Sequence, residues 1–358
     1  MALLPEKPTS QTVEAIYSFW AGKQSAPRAY LGGSVIGREC ERQLWYGFRW
    51  ATGGERFEGR MLRLFDRGQR EEAVLVADLR AIGCEVYDID PATGSQFNFK
   101  AIGGHAGGSM DAAVLGVPEA PKTYHVAEFK THNSKSFATL LKDGVEKAKP
   151  EHYAQMQIYM HWSQLTRALY LAVNKDTDEL YSERVRYDET FAKALEAKAE
   201  RVIYGAEPPQ GISEDPSFFK CKFCPASKVC HTAQLPQVSC RTCAHATPEP
   251  DGDGRWSCAK WKSDIPLDAQ RTGCPEHRYI PALLKRWGEA TDASEAENWI
   301  EYTAPDGVVF RNGPRGPGSY GSAELAAMSP AMLRDSLANS IRDEFDGRFV
   351  PVEEAKAA

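Results

Sequence analysis

The chain predicts a mixed α/β (α+β) fold, a central mixed sheet flanked by helices. β-Prone runs gather at 85–90, 96–102, 109–115 and 123–130, and again at 167–174 and 179–186. Helical apolar spacing marks 58–82, 135–143, 151–163 and 188–204 around them. A content of 42% hydrophobic and 26% charged residues belongs to an ordinary globular protein, and 358 residues suffice for one large domain or two to three smaller ones.

In chain order, residues 1–30 read as a short helix followed by a turn-rich stretch. LGGSVIGRECERQLWYGFRW, from Leu31, reads as a loop entering an aromatic-rich helix that bears Cys40. The helix at 58–82 is expected to break near Gly68 and to end at Gly83. The glycines around His105 predict a tight hairpin turn, or else a close backbone approach to a ligand. The turn Lys175-Asp176-Thr177-Asp178 joins the last two strands of the core, and a Pro-rich stretch at 207–216 follows. The cysteine-rich segment 221–274 comes next. Then come a hairpin over 299–312 around Pro305-Asp306-Gly307, a flexible 313–321, and a final helix over 332–345. The organisation expected is 1–30, a core over 31–235, a cysteine-rich module over 236–284, and a small hairpin and helix region over 285–358. No internal repeat is present.

A net charge of −6 argues against a polyanion binder whose whole surface is basic, but not against a local basic channel. Segments 56–70 and 142–149 are candidates for one, and each reads equally as a solvated helix face. No apolar run is long enough to span a bilayer, and MALLPEKPTSQTVEA lacks the basic start and apolar stretch of a secretory signal. These features predict a cytoplasmic location. Nine cysteines in such a chain point to metal rather than disulfides. Cys84, in an apolar context, reads as a buried small hydrophobe.

The chemistry concentrates in GSMDAAVLGVPEAPKTYHVAEFK, from Gly108 to Lys130. Strand side chains alternate faces, so Glu128 and Lys130 share one face and Phe129 takes the other. If the strands at 109–115 and 123–130 pair, Asp111 joins Glu128 in a two-carboxylate cradle beside a lysine. Such a cradle suits a hard divalent cation and hydrolysis of a phosphodiester. The other Glu-x-Lys triplets, Glu196/Lys198 in a helix and Glu354/Lys356 in the polar tail, read as solvated charges. Glu72, with Glu71 as its alternative, could reach the cation from the early helix; an exposed carboxylate is the plain reading of either. Gln155 and Tyr159, four apart on one helix face, can hydrogen-bond phosphate oxygens or simply edge an amphipathic helix.

Taken together, Gly68…Glu72, Asp111, Glu128-Phe129-Lys130 and Gln155…Tyr159 resemble the ordered motifs of the PD-(D/E)XK nuclease superfamily. The similar branch contains helicase–nuclease subunits and phage recombination exonucleases. GGHAGGSMDAAV, EFKTHNSKSFATL and KPEHYAQMQIYM are similar to phage-type exonucleases especially. The resemblance spans residues 35–230, and the residue before Asp111 is not the proline of the family's motif. It implies a restriction-endonuclease-like core with Asp111 and Glu128 holding Mg²⁺ or Mn²⁺, assisted by Glu72 and the Phe129 carbonyl. It further implies that Lys130 positions the attacking water and that Gln155 and Tyr159 support the scissile phosphate. DNA is then the substrate, in the bacterial host cytoplasm if the chain is phage-encoded. A recombination or single-strand-binding protein is an implied partner, and ring-forming relatives admit a homo-oligomer.

Eight cysteines fall into two sets. Cys221, Cys224 and Cys230 lack a fourth nearby thiol, and Cys40 is the natural one. Four thiolates suit a [4Fe–4S] cluster, and Zn²⁺ accepts the same number; a Cys3His site with His231 is the competing reading. The spacing with a distant N-terminal partner resembles iron–sulfur-stapled nucleases, including CRISPR-associated and helicase–nuclease-type exonucleases. This implies a staple that closes a long loop. Cys240, Cys243, Cys258 and Cys274 can wrap one Zn²⁺, with His245 and His277 as possible substitutes, in a segment too poor in apolar residues for a core of its own.

The motifs predict metal-dependent hydrolysis, and the resemblance alone implies a DNA exonuclease. An endonuclease with the same site, or a non-catalytic DNA-binding or assembly protein on the same fold, is the alternative. An iron–sulfur redox sensor is a third reading, which no residue requires.

Overall fold

The computed structural model describes residues 10–52, 54 and 56–351, so Glu354 and Lys356 lie outside the described residues. It is a mixed α/β protein. The chain divides into two compact units, the first made of 1–27, 55–99 and 108–195, the second of 28–54, 100–107 and 196–358.

The first unit is built on a five-stranded sheet in the order Glu85–Tyr87, Ala112–Leu115, His125–His132, Arg167–Asn174, Leu180–Arg186. All neighbours are antiparallel except the central pair His125–His132 and Arg167–Asn174, which is parallel. The helices Ser134–Ala148 and Pro150–Ser163 fill that parallel crossover, as the physics of parallel pairing demands. One sheet face carries Ala112, Val114, Ala127, Phe129, Leu169 and Leu171. It packs on Leu75, Val76 and Leu79 of the Gly59–Ala81 helix, with Cys84 in the same core. The other face carries Glu128, Lys130, His132 and Tyr170 together with the buried Val126, Ala168 and Ala172.

The expected break at Gly68 does not occur, and the Gly59–Ala81 helix runs through it. A helical glycine costs only about 1 kcal/mol against alanine, less than the packing of this helix supplies. The single strand expected at 109–115 is two, Ala106–Ser109 and Ala112–Leu115, interrupted where Met110 and Asp111 turn the chain. Gly144, at φ +72°, kinks the Ser134–Ala148 helix, and the freed Val145 N–H donates to Glu183 Oε2 at 2.7 Å.

In the second unit Leu31–Gly32 pairs in parallel with Ala106–Gly107, and the helix Glu41–Phe48 begins at Cys40, its N-cap residue. Gly103 and Gly104 have positive φ in a tight turn closed by the His105 N–H to Ile102 O bond, so the hairpin-turn reading holds. A buried guanidinium organises the interior. Arg241 donates to Phe48 O, Ala29 O and Gln270 Oε1 and lies 3.8 Å from the Trp50 ring centre. Lys198 is not a plain solvated charge: its Nζ donates to Arg38 O at 2.9 Å. The 299–312 hairpin is present as Trp299–Thr303 against Val309–Asn312, extended by a strand unexpected from the sequence, Glu289–Ser294. The expected last helix is split into a 3-10 turn Pro330–Arg334 and a helix Ser336–Glu344, because Asp335 caps the second by accepting from Ala338 N. Among the described residues no helix is long and apolar enough to cross a membrane.

Candidate active site

Sheet register brings the first carboxylates together. Ala112 pairs with Ala127 in an antiparallel ladder, so Asp111, one residue before, falls beside Glu128, one residue after. Asp111 Oδ2 accepts from the Phe129 N–H at 2.8 Å, which fixes that carboxylate at the strand end. Glu128 is fully buried. Its Oε1 meets Lys130 Nζ in an ion pair, yet neither of its oxygens has a well-formed hydrogen bond.

Glu72 approaches from the Gly59–Ala81 helix. Burial raises its pKa to about 7, helped by the charge of Asp111 and opposed by Lys130. Burial likewise raises Asp111, against Lys130 and the Phe129 N–H. Glu128 is pushed up to about 8, chiefly by burial, with Lys130 opposing and Asp111 reinforcing. Three carboxyl groups thus share one ammonium. A hard, oxygen-only set with a fully buried carboxylate that lacks good donors fits a divalent cation such as Mg²⁺ or Mn²⁺. Among the described residues, however, no group of three or more His, Cys, Asp and Glu side chains stands ready-made as a metal-ion site.

Beside these groups opens a cavity of about 590 Å³. Glu72, Glu71, Lys130, Lys149, Lys175 and His152 are among its lining residues, as are Phe65 and His132. Gln155 and Tyr159 do not line it. Both are buried, and Tyr159 packs its ring on Phe99 and Trp162. Of the two basic segments, 142–149 contributes Lys149 to the cavity wall, whereas Arg60, Arg63, Arg67 and Arg70 of 56–70 are exposed.

Sequence reasoning missed Lys175, His132, His152 and Tyr170. Two periodicities point to the histidines. His132 continues the alternation Glu128, Lys130, and His152 precedes Gln155 and Tyr159 at helical spacing on one face.

No protein-family model and no curated protein matches the chain. Solved structures similar to it at a distance include the following three. A crystal structure of SSO0001 is 15% identical with a TM-score of 0.38, over 61% of this chain and 95% of that one. LHK-Exo in complex with dAMP is 14% identical with a TM-score of 0.35, over 52% and 89%. The alkaline exonuclease LHK-Exo from Laribacter hongkongensis is 16% identical with a TM-score of 0.33, over 53% and 90%. Likenesses this distant carry no argument, and the site is read from its own geometry.

Both cysteine sets lie within the second unit, and among the described residues neither stands as a ready-made metal-ion site. Cys40, Cys221, Cys224 and Cys230 line one small cavity of about 20 Å³, with His231 also in its wall. Burial raises the Cys221 and Cys224 thiols, and the neighbouring thiols add to it. Arg42 Nη1 donates to Cys230 Sγ at 3.6 Å. Burial pushes Cys240 and Cys243 up to about 11, with Cys258 and Cys274 close enough to contribute. The two histidines have other partners: His245 Nε2 bonds Asn298 Oδ1 at 2.7 Å, and His277 Nε2 bonds Thr242 Oγ1 at 3.2 Å. All nine cysteines are free thiols, and Cys84 is buried in the first unit's core.

Proposed function

We propose that this chain is a divalent-metal-dependent deoxyribonuclease, an exonuclease acting on linear DNA in phage-type recombination or replication. The observation that carries the hydrolytic reading is the buried Glu128, beside Asp111 and ion-paired to Lys130, next to a cavity walled by lysines. In this reading Asp111, Glu128 and the Phe129 carbonyl would hold Mg²⁺ or Mn²⁺, assisted by Glu72. A cation held there would supply Lewis acidity and lower the pKa of a water towards neutrality. Lys130, tethered by Glu128 Oε1, orients the attacking water. Lys149 and Lys175 draw the phosphates into the cavity, whose volume lies in the ordinary range for a small-ligand pocket. Gln155 and Tyr159, which do not line the cavity, act by holding the helix that presents His152.

End-labelled linear DNA incubated with Mg²⁺ or Mn²⁺ beside closed circular DNA tests the reading, with wild type against Lys130→Ala. Loss of the linear substrate alone, with wild type only, is the expected outcome. Cutting of both substrates makes the enzyme an endonuclease. Digestion of neither, or normal turnover by Lys130→Ala, removes the mechanism.

For the cysteines we propose two structural metals, a [4Fe–4S] cluster on Cys40, Cys221, Cys224 and Cys230 and Zn²⁺ on Cys240, Cys243, Cys258 and Cys274. His231 lines the same small cavity, which keeps a Cys3His zinc site as the competing reading for the first set.

A further inference from the structure

Five polar side chains of the first unit, three of which (Lys149, His132 and His152) line the cavity, are joined by hydrogen bonds in a single file. Lys149 Nζ donates to Ser136 Oγ at 2.7 Å. Ser136 Oγ and His132 Nδ1 are 3.1 Å apart. His132 Nε2 and the Tyr170 hydroxyl are 2.8 Å apart, and that hydroxyl is 2.9 Å from His152 Nδ1. The rings of His132, His152 and Tyr170 are stacked on one another.

The donor inventory fixes the direction of this file. A lysine ammonium only donates, so Ser136 accepts from it. Ser136 has no other acceptor among the described residues and gives its own hydrogen to His132 Nδ1. The neutral His132 then carries its hydrogen on Nε2 and donates to Tyr170, whose hydroxyl donates to His152 Nδ1. His152 is left with its hydrogen on Nε2, an atom without a hydrogen-bond partner among the described residues, on a side chain that lines the cavity with Glu72 and Lys130. Burial lowers His132 to about 4 and His152 to about 3, which keeps both rings in the neutral forms this order needs.

We propose that Lys149, Ser136, His132, Tyr170 and His152 form a proton relay whose His152 end protonates the leaving oxygen of the scissile phosphodiester. The inference rests on the nuclease reading. Water oxygen forms the new bond to phosphorus and releases a proton to solvent. The bond from phosphorus to the leaving oxygen breaks, with its electron pair on that oxygen, which takes the proton from His152 Nε2. His152 Nδ1 takes the proton of Tyr170, Tyr170 that of His132 Nε2, His132 Nδ1 that of Ser136, and Ser136 one from Lys149. After product leaves, a solvent proton entering at His152 Nε2 runs the file backwards and restores the Lys149 ammonium. His152 is the catalytic residue, and the other four position and recharge it.

A bridging sulfur in place of the leaving oxygen separates this role from a structural one, because a thiolate departs without a proton. Single-turnover cleavage of linear DNA carrying either linkage is measured with wild type, His152→Ala and Tyr170→Phe, the last retaining the stacked ring. On the oxygen linkage His152→Ala is expected to be slower by about 100-fold or more, and on the sulfur linkage to come within about three-fold of wild type. Tyr170→Phe follows the same pattern with a smaller loss. Equal slowing on both linkages, or none on the oxygen linkage, overturns the relay while leaving the nuclease reading intact. Wild type inert on both linkages overturns that reading and the relay with it.

Discussion

Glu128 is a fully buried carboxylate, and this makes it a reporter of cation binding. Its folded pKa of about 8 lies above an ordinary carboxyl value, as does that of Glu72 at about 7. A raised folded pKa contributes stability that is complete below the unfolded value, near 4.5, and lost as pH rises through the folded value. Without a cation, these two groups therefore destabilise the fold progressively between about pH 4.5 and 8. A divalent cation takes the deprotonated forms and relieves that cost, releasing protons as it binds. The rise in melting temperature on adding Mg²⁺ should thus be larger at pH 8.5 than at pH 6. Affinity should fall by up to about ten-fold per pH unit for each proton displaced. A Mg²⁺ effect that is equal at both pH values, or unchanged in Glu128→Gln, would remove the carboxylates from the cation site.

At the scale of the elements, close approach and open space assign opposite signs to two glycines. A Cβ on Gly108 would overlap the Tyr159 hydroxyl and ring, whereas one on Gly68 would meet nothing. Gly108→Ala is expected to destabilise by about 1–3 kcal/mol through overpacking. Gly68→Ala should stabilise by up to about 1 kcal/mol through helix propensity. Chemical denaturation measures both, and the same sign for the two would contradict the packing described. Gly68 also marks what the sequence made legible and what it did not. The helices and strands that bury one face were readable from their periods, and 167–174 is a strand to the residue. Their joints were not. The interruption at Met110 and Asp111 and the kink at Gly144 meet tertiary partners, Phe129 and Glu183, which no local pattern announces, whereas the cap at Asp335 is local, through Ala338 N. The same divide runs through the site. Alternation alone put Glu128 and Lys130 on one face, and Asp111 joined them only on the condition that the two strands pair, as they do; Lys149, Ser136 and Tyr170 meet because a parallel crossover folds two helices onto one sheet face.

For the molecule as a whole, the metals proposed for the two cysteine sets would make metal a condition of folding for the second unit. That unit contains both four-thiol sets and a segment whose sheets are short, the longest strand being Glu289–Ser294. Its interior is held partly by Arg241, whose pKa burial lowers to about 9, so a cation is kept there by carbonyls and aromatic faces rather than by a carboxylate. Removing a metal from such a region leaves crowded thiols and little apolar area to resist unfolding. Anaerobically prepared protein should contain about four iron atoms with matching acid-labile sulfide, and one zinc. Cys221→Ser should lose the iron and keep the zinc, whereas Cys258→Ser should do the reverse, each with a lower melting temperature. Two zinc atoms and no iron in the anaerobic protein would make the first set a mononuclear site. Full stability in both variants would mean that neither set of thiols holds the unit together.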